Sequence, residues 1–233
     1  MRFRRELTSA RAFSRAITTF VLTVVCSAGL FAQEKKVATA LLIDNTGSMR
    51  SQFALVLDLS KGIVTQVQPR GPVRLFAFMP QGPQSSSIAV ASSRTQWTED
   101  HAALIGTIDG LYVIGGQTKL LDAITSLAVD LNTRVAENPD GFSGKVIFLI
   151  TDGEDRSSKS STKDLIKLLK DSGIQVNAVG LLDELDSDRF GSSGKRSKAK
   201  DLLENLTKET GGRVVFASPH ADADEVLRKL DTK

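Results

Sequence analysis

The segment Asp44-Asn45-Thr46-Gly47-Ser48 sets a carboxylate and two hydroxyls at alternate positions directly after an apolar run. In extended backbone, residues at i, i+2 and i+4 point to one side, so Asp44, Thr46 and Ser48 can gather their oxygens where a strand gives way to a turn. Two later segments carry compatible chemistry. Gly115-Gly116-Gln117-Thr118 precedes a helical pattern, and Thr151-Asp152-Gly153-Glu154-Asp155 follows a second apolar run. If these segments reach one sheet edge, Thr118 and Asp152 complete an all-oxygen set. Such a set suits a hard cation, magnesium first and manganese or calcium as alternatives, rather than zinc or copper. Each piece alone has a plainer reading, because Asp, Asn, Thr, Gly and Ser are residues of turns and helix caps, and Thr118 can cap the helix after it. Convergence at the carboxyl ends of strands, where open α/β sheets bind ligands, is what favours a site. Glu154 and Asp155 read as charges favourable near a helix start rather than as further ligands.

The elements that must position these residues alternate along the chain. Val37 to Ile43, Val73 to Phe78, Val146 to Ile150, Ile174 to Val179 and Val214 to Phe216 are short runs rich in β-branched residues, as expected of strands covered on both faces. Between them, Leu120, Ile124, Leu127 and Leu131 recur at helical spacing, as do Leu165, Leu168 and Leu169, then Leu202, Leu203 and Leu206. Phe53 to Val67 is apolar on most sides, which predicts a helix buried more deeply than the others. The alternation predicts an α/β domain with a doubly wound, mainly parallel sheet and helices on both faces. Ile88 to Ala91 follows Val73 to Phe78 too closely for a helical crossover and is expected as an antiparallel edge strand. The polar stretch Asp183 to Lys198 reads as a mobile surface loop. Its acidic residues lack the glycine and terminal glutamate of an EF-hand.

Composition narrows the chemistry. The 233 residues carry 30 Lys+Arg against 27 Asp+Glu, two histidines and one cysteine. Residues 1–32 hold Arg2, Arg4, Arg5, Arg11 and Arg15 against Glu6 alone, so the remainder has 25 basic and 26 acidic residues. A remainder so nearly neutral argues against nucleic acid or an anionic membrane as the main partner. The Arg-rich start, the uncharged stretch Ala16 to Ala32 and the polar residues after it form the pattern of a secretory signal peptide over residues 1–32. Cleavage fits after Ala32 or Ala28, and an uncleaved membrane anchor is the alternative. Removing the leader removes Cys26, which leaves no disulfide, cysteine zinc site or thiol nucleophile. Enzyme readings of the same residues fail: Asn45 interrupts Asp-Thr-Gly, Thr46 stands where an Asp-x-Asp phosphatase needs a carboxylate, and Ser48 has no histidine nearby in sequence. His101 and His220 read as surface residues; Trp97 and Tyr112 carry no functional inference.

At Asp44, Thr46, Ser48, Thr118 and Asp152 the chain resembles the von Willebrand factor type A domain. The metal-ion-dependent adhesion site of that family is built on Asp-x-Ser-x-Ser, a distant Thr and a distant Asp. The order also matches, and Thr46 in place of serine is the one departure. The resemblance spans Val37 to Leu230 and implies a Rossmann-like type A domain over residues 33–233. It also implies a divalent cation at those five residues, completed by an Asp or Glu carboxylate of a protein partner, and binding without turnover. The expectation is thus an exported adhesion or scaffold module, secreted or periplasmic. The alternative is an assembly subunit of an extracytoplasmic complex in which the metal only stabilises.

Overall fold

The computed structural model of the protein describes residues 34–80, 88–186 and 194–230. Its elements run β1 (Lys36–Ile43), α1 (Phe53–Val67), β2 (Val73–Pro80), β3 (Ile88–Ser93), α2 (His101–Asp109), β4 (Gln117–Thr118), α3 (Leu120–Ala136), β5 (Phe142–Thr151), α4 (Thr162–Asp171), β6 (Ile174–Gly180), α5 (Lys195–Glu209), β7 (Val214–Phe216) and α6 (Ala223–Leu230). The leader read over residues 1–32 lies outside the described residues. Among the described residues, no helix is long and apolar enough to cross a membrane.

The sheet order is β4-β3-β2-β1-β5-β6-β7. β1 pairs in parallel with β2 and β5, the parallel set continues through β6 to β7, and β2 with β3 is the antiparallel pair. The expected antiparallel strand is therefore present, with one addition: β4 pairs in parallel outside it, at Ile88 and Ala89. Gly116 permits that pairing, because its φ is 113° and a Cβ there would come within 3.1 Å of the Ala89 backbone nitrogen.

Strand residues divide by parity between two apolar layers, which explains their unbroken hydrophobic runs. Ala38, Ala40 and Leu42 of β1 join Ile147 and Leu149 of β5 under Leu120, Ile124, Leu127, Leu165 and Leu203 from α3, α4 and α5. Leu41 and Ile43 join Phe148 and Ile150 beneath Val56, Leu59, Ile63, Leu104 and Leu227 from α1, α2 and α6. Helix α1 is the deeply buried helix its composition predicts, since α2 and α6 both pack against it. Gly62 admits that packing: a Cβ there would lie 2.1 Å from Leu227 Cδ1. The sequence reading names no helix after Phe216, yet Val226, Leu227 and Leu230 form one buried face of α6.

The polar stretch Asp183 to Lys198 is less of a loop than expected. Asp183–Asp186 is a 3-10 turn with Leu185 buried, and α5 already begins at Lys195, held by buried Ala199 and Leu203. Residues 187–193 lie outside the described residues.

Candidate functional site

β1 and β5 lie side by side at the point where the sheet winds away in both directions. Ile43 pairs with Ile150, and the Asp44 N–H donates to the Ile150 carbonyl at 2.9 Å. The chain thus brings Asp44 and Asp152 to neighbouring strand ends at a topological switch point, the usual place for a ligand in such sheets.

All five expected residues meet there. The Asp44 Oδ1 accepts from the Thr46 N–H at 3.0 Å and from the Thr46 hydroxyl at 2.7 Å. Thr46 Oγ1 lies 3.4 Å from Ser48 Oγ and accepts from the Thr118 hydroxyl at 3.2 Å. Asp44, Thr46, Thr118 and Asp152 are buried, while Ser48 is half-buried at the mouth. The cap readings do not hold. Thr46 precedes the 3-10 turn Gly47–Gln52 without capping it, and Lys119 rather than Thr118 stands at the N-cap position of α3. The hydroxyls point at one another and at Asp44 instead.

The first turn of α3 is capped from the Asp152 segment. Asp155 Oδ1 accepts from the Leu121 N–H at 3.1 Å, and Ser158 Oγ from the Asp122 N–H at 3.1 Å. In return, the Asp122 carboxylate accepts from the Lys159 and Ser160 N–H groups. The Arg156 N–H donates to the Thr118 carbonyl at 3.1 Å. This exchange ties Thr118 to the loop that carries Asp152, and Asp155 is a charge at a helix start, as expected.

Sequence reasoning missed two supporting residues. Thr151 donates its hydroxyl to Asp44 Oδ2 at 2.8 Å and accepts from the Gly153 N–H at 3.0 Å. The Asn45 side chain accepts from the Phe78 N–H at 2.8 Å and donates to the Tyr112 carbonyl at 2.9 Å, bridging β2 to the chain before β4. Its own carbonyl accepts from the Ile114 N–H at 2.8 Å. Asn in place of any apolar or small residue within a site motif is the only signal for that role. Asn45→Ala leaves the Phe78 N–H without its bond in a buried place and the Tyr112 carbonyl without one in a half-buried place, so it should cost about 1–3 kcal/mol of stability by urea denaturation. A loss below about 0.5 kcal/mol would show that the bridge is dispensable.

Electrostatics set the two carboxylates apart from the surface acids. Burial pushes the Asp44 carboxyl up, against hydrogen bonds from Thr46 and Thr151 that favour its charged form. Asp152 is pushed up to about 7 by burial first and by the Asp44 charge second, with Ser48 and the Glu154 N–H opposing. Asp152 Oδ1 accepts from the Glu154 N–H at 2.8 Å, but its buried Oδ2 has no hydrogen-bond partner. A buried carboxylate oxygen left bare beside a second carboxylate is costly unless a cation or a proton meets it. Among the described residues, no three His, Cys, Asp or Glu side chains group as metal ligands, so a cation here relies on the hydroxyls as well. Both histidines are exposed and elsewhere: His101 Nε2 lies 3.1 Å from Thr65 Oγ1 at the start of α2, and His220 sits in a turn after β7.

The von Willebrand factor type A domain profile matches residues 40–231. The chain belongs to the von Willebrand factor type A domain family. Solved structures similar to this type A domain agree on the fold. The manganese-loaded TRAP protein of Plasmodium vivax superposes with a TM-score of 0.58 at 15% identity, over 85% of this chain and 73% of that one. Proximal thread matrix protein 1 of the mussel byssus gives 0.54 at 19% identity, over 84% of this chain and 44% of that one. The pilus adhesin SpaC of Lactobacillus rhamnosus GG gives 0.59 at 18% identity, over 84% of this chain and 30% of that one. This type A domain thus spans less than half of the latter two proteins. No curated protein sequence matches the chain.

Proposed function

We propose that this type A domain is an exported module that binds a partner protein through a divalent cation held by Asp44, Thr46, Ser48, Thr118 and Asp152. The observation that carries the reading is the buried Asp152 Oδ2, which has no hydrogen-bond partner in a carboxyl pushed up by burial and by the Asp44 charge. Two carboxylates and three hydroxyls form a hard, all-oxygen donor set suited to magnesium, with manganese or calcium as alternatives. Support also comes from one fold neighbour being manganese-loaded and another being a pilus adhesin. Bound there, a divalent ion supplies an electrophilic position that an Asp or Glu carboxylate of the partner can complete.

The protein's own residues do the rest. Thr151 and the Thr46 backbone orient Asp44, Asn45 fixes the loop, and half-buried Ser48 marks the side from which a partner arrives. In this reading the two carboxylates are taken up by the cation and the site binds without turnover. The leader pattern over residues 1–32 supports the exported part of this reading, secreted or periplasmic, with an uncleaved membrane anchor as the alternative. Titration calorimetry should show one magnesium or manganese site in the intact protein and none in Asp44→Ala. Unchanged binding in that variant, or no binding in the intact chain, would sink the reading. Association with partners from the extracytoplasmic fraction should fail in EDTA; if it persists, the metal only stabilises.

A further inference from the structure

A cleft of about 470 Å³ opens beside the proposed cation position, with Ser48 on its wall. The volume lies in the range of small-ligand sites, but the lining is charged rather than apolar. Arg50, Arg156 and Lys195 stand against Glu154 and Glu184. Glu154 faces two cations at once, Arg156 at 2.6 Å and Lys195 at 3.7 Å. Glu184 accepts from the Ser51 hydroxyl at 2.8 Å. Arg50 is exposed and has no ion pair among the described residues. Arg50 is thus the cation of this cleft that has no carboxylate against it among the described residues, and it can receive one further anion.

We infer that this cleft is a second anchor for the same partner and takes an acidic side chain next but one to the carboxylate at the cation. The inference rests on the metal-dependent reading above. Arg50 follows Ser48 by two residues in the 3-10 turn Gly47–Gln52, an axial step of about 4 Å, and its long side chain extends that reach. In an extended peptide, residues i and i+2 share a side and lie about 7 Å apart. An Asp-x-Asp segment therefore sets one carboxylate toward the metal residues and the next toward Arg50. Guanidinium is the group suited to receive it, since its planar donors match a carboxylate. The near-neutral charge of the chain after residue 32 makes this a local preference rather than a general attraction for polyanions.

The test uses the full chain, isotopically labelled, in saturating magnesium at low salt. Amide NMR titrations compare three synthetic peptides: Gly-Gly-Asp-Gly-Asp-Gly-Gly and its two controls with one Asp replaced by Asn. The doubly acidic peptide should bind about three- to five-fold tighter than either control, the size expected of one partly exposed ion pair. That advantage should vanish in Arg50→Glu and fade in 0.5 M salt (roughly a 4 Å screening length), while calorimetric magnesium binding stays as in the unaltered protein. Equal affinity for the three peptides, or an advantage kept in Arg50→Glu, overturns the second anchor and leaves the metal site standing. Absence of magnesium heat, or of magnesium-dependent binding by all three peptides, overturns the metal reading and this inference with it.

Discussion

Between about pH 4 and pH 7 the metal-free protein should become less stable as the pH rises, by up to about 4 kcal/mol. The cause is Asp152, whose carboxyl is raised from 3.8 to about 7 by burial and by the Asp44 charge. A raised folded-state pKa means that the native protein binds protons more tightly than the unfolded chain. The associated stability is fully present below the unfolded value and is lost as the pH climbs through the folded one. Asp44 shifts in the same direction, so the pair adds in sign. Asp122 acts oppositely: burial opposes its ionisation, but the Ser160 and Lys159 N–H groups outweigh that and lower it, so its contribution is lost only below about pH 4. Saturating magnesium should flatten the slope and offset most of the loss, since a cation takes the place of the proton at Asp152. At a hundred times the dissociation constant, it adds about 2.7 kcal/mol at pH 8. Melting curves from pH 4.5 to 8, in EDTA and in magnesium, read both effects. A flat profile in EDTA, or one rising with pH, would show that the two buried carboxylates do not strain the metal-free fold.

The strands were legible in the sequence because both of their faces are buried. A run such as Leu41-Leu42-Ile43 has no alternative use in a chain of this size, whichever layer each side chain enters. The site was legible for a related reason: Asp44, Asp152 and Thr118 each fall at the end of such a run or just before a helical pattern. What stayed hidden depends on contacts made far along the chain. β4 is two residues long and exists only because Gly116 lets the backbone come against Ala89. Helix α6 is short, and its apolar face becomes visible as a face only once Gly62 provides a seat for Leu227. Asn45 and Thr151 read as turn chemistry, since their partners lie 33 and 107 residues away. Thr118 kept a cap reading beside its site role in the sequence, because the caps of α3 come from Asp155 and Ser158, more than 30 residues further along.

Asp152→Asn should stabilise the metal-free protein at pH 8 by about 2–4 kcal/mol while lowering its magnesium affinity by at least about 100-fold. The amide removes the buried charge but keeps the oxygen that accepts from the Glu154 N–H, and its NH2 can donate toward the Ser48 hydroxyl. Asp44→Asn is isosteric too, yet the outcome differs. Asp44 uses both oxygens as acceptors, Oδ1 from Thr46 and Oδ2 from the Thr151 hydroxyl. An amide there turns one acceptor into a donor and forces Thr151, which already accepts from the Gly153 N–H, to reverse its hydroxyl. That penalty should hold the gain at least about 1 kcal/mol below that of Asp152→Asn, with a similar loss of magnesium. The contrast separates a site built to hold a cation from a merely polar pocket. In the latter, the two substitutions would both destabilise at pH 8, as the loss of any well-bonded buried carboxylate does. Urea denaturation of both variants in EDTA, paired with magnesium calorimetry, decides it. Stability gained at Asp152 together with binding lost there would mean that the fold bears a buried charge for the sake of the ion that meets it.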